Sequence, residues 1–419
     1  MVPLGYFERN SSRGLEVLHG VWRWVLLALG VAAVLVAATG CGGSKKSAET
    51  FSVTVDAHNK AANESFLAYF PNVLRVHAGD SVVFDQVGVG EPHTVTFGTL
   101  VDPAVAGFEK LTPKQLQGGQ PPKALLQLDA KLPFLLPRGP GDAIQSAANP
   151  CYLDSGVPGK AACTTKTQPD FNGKQSFYNS GWLDRNQKWT LRVAKGTAPG
   201  TYHFFCLLHR EGMTGKIVVV PSGTAVPSPS TQAAAGARQL ASTEAKLQPV
   251  VSALRKGKAP IPGVVIPGVN PVLSGSGSPN VQEAEVDEFG PSTVHIAVGG
   301  SVTWYLLGAH SITFNSTKTN NDIRKVAPDG TVHLNAPALT PAGGPGEGHA
   351  AKPHGKAPIN FVVTTTSSWN GSGFHNSGVF VNSSPPSLIE GYKLTFTRKG
   401  TYKYICTVHD DMKGTVVVS

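Results

Sequence analysis

The chain has 419 residues, of which 41 % are hydrophobic and 15 % charged. That length allows two or three domains and a core large enough to fold without disulfides or metals. Gly and Pro make up 79 residues, about 19 % against a usual value of roughly 12 %, which excludes a coiled coil or helical bundle and favours strands and turns. The net charge is +9. No block of Lys and Arg interleaved with aromatics accompanies it, so the charge points to an acidic protein partner or an anionic membrane surface and not to nucleic acid.

The first 41 residues read as an export signal. Arg9, Arg13 and Arg23 precede an apolar run from Trp24 to Ala38, followed by Thr39, Gly40 and Cys41. The run is shorter than the roughly 20 residues of a spanning helix. Ala38 to Cys41 resembles the lipobox of bacterial lipoproteins, which implies acylation of Cys41, cleavage before it and attachment of the chain to the outer face of a cell membrane. An uncleaved N-terminal anchor is the alternative, and it also places the rest of the chain outside the cytoplasm. Residues 42–50 read as a flexible tether.

The remainder repeats itself. Pro71 to Phe84 aligns without a gap on Pro291 to Trp304, placing Gly79 on Gly299. His93 to Phe97 matches His310 to Phe314, and Phe177 to Gly181 matches Phe374 to Gly378. Gly200 to Val220 matches Gly400 to Val418. Short β-branched runs bounded by Gly and Asp predict strands. Alternation places Tyr202, Phe204 and Cys206 on one strand face, and Tyr402, Tyr404 and Cys406 on the equivalent face. The expected architecture is all-β: two tandem Greek-key sandwiches over 51–221 and 281–419. Between them, 222–280 reads as a linker, with Leu240, Leu247, Val251 and Leu254 on one face of a helix near 236–256. The simplest expectation for that helix is a spacer packed loosely on one domain.

Five cysteines outside the cytoplasm require an explanation. Lipidation accounts for Cys41. Cys151 and Cys163 lie close together in a loop-like stretch, where a disulfide would contribute roughly 3 kcal/mol. Cys206 and Cys406 remain as single thiols. Each follows an upstream histidine and precedes a second histidine and a methionine: His93, Cys206, His209 and Met213 in the first copy; His310, Cys406, His409 and Met412 in the second. Two imidazoles, a thiolate and a weak thioether form the ligand set of an electron-transfer blue-copper site. The cysteine ends a strand, so one short loop brings three donors to one ion, and the first histidine must come from another strand end.

On these residues the chain resembles two cupredoxin domains in tandem, the family of plastocyanin, azurin and amicyanin. The resemblance covers about 51–221 and 281–419. It implies two type 1 copper sites built from the eight residues named, and one-electron transfer to an unidentified redox partner protein at the membrane. The family pattern places the first histidine and the cysteine closer together than the 113 and 96 residues found here. Each domain therefore carries a large insertion that shields the metal, meets a partner or joins the domains. Copper storage, delivery or sensing uses the same ligands, but only three methionines are present. A copper oxidase or nitrite reductase is disfavoured, and the protein is read as no enzyme. No two histidines are separated by a single residue, and the residues before the two cysteines are Phe205 and Ile405. His203 and His375 are not expected to be ligands. His349 and His354 are expected in a solvated loop.

Overall fold

The computed structural model describes residues 47–419 other than 60–61, 89–90, 112–122, 133–142, 146, 149–167, 260–264, 279–280, 318–322, 328–330, 346–359, 382–387 and 410. The export signal, Cys41, Cys151, Cys163, His349 and His354 lie outside the described residues.

Two facing sheets form the first half. One runs Lys188–Arg192, Ser81–Gln86, Thr50–Val55, Tyr69–Phe70; the other runs Val73–Val76, Thr214–Val219, Gly200–Phe205, Thr96–Phe97, Tyr178–Asn179. Alternate residues point inward, as in Ser81–Gln86, where Val82 and Phe84 are fully buried. They meet Leu74, Phe97, Phe204 and Ile217 from the other sheet in one core. The second half repeats the plan: its second sheet runs Thr293–Ile296, Lys413–Val418, Gly400–Ile405, Thr313–Phe314, His375–Asn376. The predicted all-β sandwich architecture is thus present twice.

The first strand of the second half starts before the expected boundary. Pro271–Ser278, placed in the linker by sequence, pairs parallel with Ser301–Leu306, just as Thr50–Val55 pairs parallel with Ser81–Gln86. Its Gly and Ser residues (LSGSG) conceal a strand that lacks the usual β-branched signature.

The linker helix runs from Pro229 to Arg255, starting seven residues earlier than the apolar stripe indicated. Ser228 caps it by accepting from the Thr231 N–H, with Pro at the first helical position, which is a favoured start. The helix is not a loose spacer. Leu247 packs among Ala57, Phe66 and Phe70 of the first half and Ala284 of the second. Val250, Val251 and Leu254 pack with Leu273, Val286, Tyr305 and Ile389 of the second half and Ala62 of the first. Near its start, Gln232 accepts from the Arg75 N–H and donates to the Arg75 carbonyl, covering the edge strand Val73–Val76, an edge that would otherwise be open to pairing.

The two halves also share sheet hydrogen bonds. Glu64–Ser65 of the first half pairs antiparallel with Val281–Gly290 of the second, setting Ser65 opposite Glu285. The insertions meet as well: Ala143–Gln145 pairs with Thr331–Leu334. In the first insertion, helices Asp102–Phe108 and Lys123–Asp129 pack against Phe177, Trp182, Phe205 and Leu207. The insertions therefore both join the halves and cover the strand end that carries Cys206.

Leu254 is completely buried between the helix and the second half. Leu254→Ala is expected to cost about 2–5 kcal/mol in denaturant unfolding. A helix that merely spaced two domains would show a change below about 0.5 kcal/mol.

Candidate metal centres

Each half gathers two imidazoles and one sulfur at one end of its sandwich. In the first, His93 Nδ1 and His209 Nδ1 are 3.1 Å apart, and Cys206 Sγ is 3.8 Å and 3.6 Å from them. In the second, His310 Nδ1 and His409 Nδ1 are 3.2 Å apart, and Cys406 Sγ is 3.9 Å and 3.8 Å away. A metal about 2.0–2.1 Å from nitrogen and about 2.3 Å from sulfur, at trigonal to tetrahedral angles, sets N···N edges of about 3.3–3.5 Å and N···S edges of about 3.5–3.8 Å. Both triangles match within a few tenths of an ångström, so the residues present fit one soft to borderline ion in each half.

The local backbone explains the convergence. Cys206 follows the last residue of Gly200–Phe205, and its N–H donates to the Met213 carbonyl; Cys406 does the same to Met412. Met213 and Met412 are completely buried in the two cores that contain these cysteines. The first loop is one residue longer than the second. Arg210 there lies at φ +50, and its guanidinium pairs with Asp129 of the insertion.

A reciprocal clasp ties each upstream histidine to its cysteine. The Thr94 N–H donates to Cys206 Sγ at 3.4 Å, while Thr94 Oγ1 accepts from the Leu207 N–H. Ser311 does the same for Cys406 Sγ and the Thr407 N–H. Ser180 accepts from the Val95 N–H, and Ser377 from the Ile312 N–H. That is the role of the repeated Asn-Ser-Gly motif: it pins the strand two residues beyond each upstream histidine.

Electrostatics prepare both sulfurs for a cation. Burial alone would raise the cysteine pKa values. Hydrogen bonds from the facing histidines outweigh burial and hold both thiols well below their ordinary value. Burial likewise opposes charging His93, but Asp56 and the Cys206 sulfur raise it to about 9. These shifts favour the thiolate and the charged imidazole in each triangle, and a cation bound there would take the place of ring protons.

Carboxylates that the sequence reading did not single out stand behind the rings. His93 Nε2 is 3.1 Å from Asp56 and His209 Nε2 is 2.6 Å from Glu91. His409 Nε2 is 3.4 Å from Glu285 and 3.7 Å from Asp287. Such partners fix which ring nitrogen faces a metal. His310 Nε2 has no hydrogen-bond partner. It abuts Gly275, where an added Cβ would stand 1.9 Å from that nitrogen. Only Glu91, two residues before His93, had a signal in sequence; the other three come from distant segments.

No family model matches the chain, and no curated protein matches it. Among solved structures, it is similar to dithionite-reduced auracyanin from the photosynthetic bacterium Roseiflexus castenholzii, at 17 % identity over 41 % of this chain and 97 % of that one, with a TM-score of 0.21. It is also similar to a substituted amicyanin in its reduced Cu(I) form at pH 4, at 18 % identity over 37 % and 86 %, TM-score 0.16. A second substituted amicyanin, in its reduced state, is 20 % identical over the same shares, TM-score 0.16.

Two of the histidines read as bystanders, His203 and His375, stand apart from both triangles. His203 lies beside Asp102 and Glu109 on the insertion side. His375 stacks on Trp369 and meets Tyr392 Oη at 2.7 Å. Burial pushes His375 down to about 4. A depressed histidine contributes stability that is complete above its unfolded value of about 6.5 and lost as pH falls toward the folded one. Thermal midpoints are therefore expected to fall between about pH 6.5 and 4, and His375→Gln should flatten that slope.

Proposed function

We propose that the protein is a copper-binding electron carrier with one type 1 copper in each half. The observation that carries this reading is the repeated triangle of two imidazole Nδ1 atoms and one thiolate, sized for a single ion. His93, Cys206 and His209 would hold one copper, and His310, Cys406 and His409 the other, with Met213 and Met412 as weak axial ligands. Copper in such a set supplies a one-electron couple.

The chain's own residues do the remaining work. The clasps through Thr94 and Ser311 direct backbone N–H groups at the sulfurs and hold their lone pairs. The carboxylates orient the rings. The two cysteines and the upstream histidines are fully buried, so water is excluded and the ligands keep one arrangement. Closed sites of this kind favour a carrier over a protein that must take up and release copper quickly. The residues before the cysteines, Phe205 and Ile405, provide no imidazole to wire either site to a second catalytic copper. We therefore read the protein as a carrier and not as an enzyme. Lipid attachment at Cys41 would keep it on the outer face of the cell membrane beside a redox partner protein. Among the described residues no helix is long and apolar enough to cross a membrane.

Copper-loaded protein from residue 44 onward is expected to be intensely blue, to hold two coppers and to bleach reversibly on reduction. Cys206→Ser and Cys406→Ser should each remove one copper and part of the blue band. Colourless copper, or none, would sink the reading, and turnover of nitrite or phenols would replace it with an enzyme.

A further inference from the structure

The rings of His209 and His409 face the seam between the halves, and the seam is lined with acid. Glu91 of the first half lies against His209 Nε2 at 2.6 Å. Its carboxylate also lies within 4.8 Å of both a ring nitrogen of His409 and a Glu285 oxygen. Glu285 and Asp287 approach His409 from its own half. Asp287 is fixed across the seam by the Ser65 hydroxyl and by its own N–H, which donates to the Asn63 carbonyl. Glu91 is 10 % exposed and His409 2 %. A single carboxylate from one half is therefore shielded from water and shared by ligand rings of both.

We propose that Glu91 is a positioning residue common to the two metal centres: it orients the His209 ring, faces the His409 ring, and so sets the reduction potential of both. This rests on the carrier reading above. A carboxylate close to a buried centre favours the more positive, oxidised form, because little solvent screens the pair. The His209 ring presents Nδ1 to the thiolate and Nε2 to the Glu91 carboxylate, and the His409 ring turns its Nε2 toward Glu285 and Asp287 at 3.4 Å and 3.7 Å. This placement on the outer side of the rings assigns Glu91, Glu285 and Asp287 an orienting role and not the role of ligands to a further ion. The chain is then one coupled two-centre unit and not two independent carriers, because any change at Glu91 is felt on both sides of the seam.

The test uses the full copper-loaded chain with one centre removed at a time. In a Cys206→Ser background only the second centre remains. There Glu91→Gln should move the ratio of reduced to oxidised protein about tenfold toward reduced at fixed potential, or about 59 mV for one electron. In a Cys406→Ser background the same substitution should move the first centre in the same direction. Glu91→Asp keeps the charge and should restore most of the wild-type potential in both. A shift confined to the first centre would overturn the sharing. A third bound ion that is lost on Glu91→Gln would make the carboxylate a ligand and overturn the positioning role. The metal-free chain supplies an independent reading by NMR of the ring N–H groups. Glu91→Gln should displace the Nε2–H resonances of both His209 and His409, and displacement of His209 alone counts against the proposal. A chain that failed to turn blue would refute the carrier reading, while these resonances would still decide the role of Glu91.

Discussion

Burying a thiolate between two imidazoles is the constraint on which the rest of this structure depends. None of these groups is stable alone in a low-dielectric interior. Together, with protons or a cation among them, they balance. The balance requires each sulfur to receive backbone N–H groups, each strand end to be pinned by a serine, and most rings to have a carboxylate behind them. The clasps at Thr94 and Ser311, the Ser180 and Ser377 contacts, and the acids Asp56, Glu91, Glu285 and Asp287 all answer that one demand.

The same demand explains how the halves meet. A histidine whose outer nitrogen opened to solvent would find its partner in water. Here His209 finds its partner in Glu91, and His409 turns toward Glu285 and Asp287, all of them carboxylates at the seam. The seam must therefore be held in register, and several devices do so: the pairing of Glu64–Ser65 with Val281–Gly290, the contact of the two insertions, and the long helix buried against both halves. Registering a polar seam with an apolar helix is physically economical. Hydrophobic burial supplies non-directional free energy, and the hydrogen bonds supply direction.

Much of this was legible in the sequence because repetition doubled every signal. The two triangles follow from His93, Cys206 and His209 and their counterparts, since these metal-binding residue types recur at matching places. The sandwich plan follows from alternation in segments such as Gly200 to Val220. What could not be read depends on contacts across long separations. Asp56 and Glu285 carry no local motif that ties them to a histidine. Pro271–Ser278 lacks the side chains that announce a strand, and the helix start at Pro229 lies in an alanine-rich stretch with no apolar stripe. The Asn-Ser-Gly repeat was visible, yet its role emerges only once Ser180 and Ser377 are seen to accept N–H groups beside the upstream histidines.

The polar seam also bears on whether either half could be a structural relic. Replacing a buried ionic cluster by packed apolar residues is often neutral or stabilising, by about 1–4 kcal/mol. Stability alone therefore provides no reason to hold two thiols, four imidazoles and four carboxylates in two buried clusters and the seam between them. The two triangles here have the same edges within about 0.2 Å, and each keeps its sulfur clasp. Both halves hold a triangle sized for a single ion, and the acidic seam reaches the outer histidine of each.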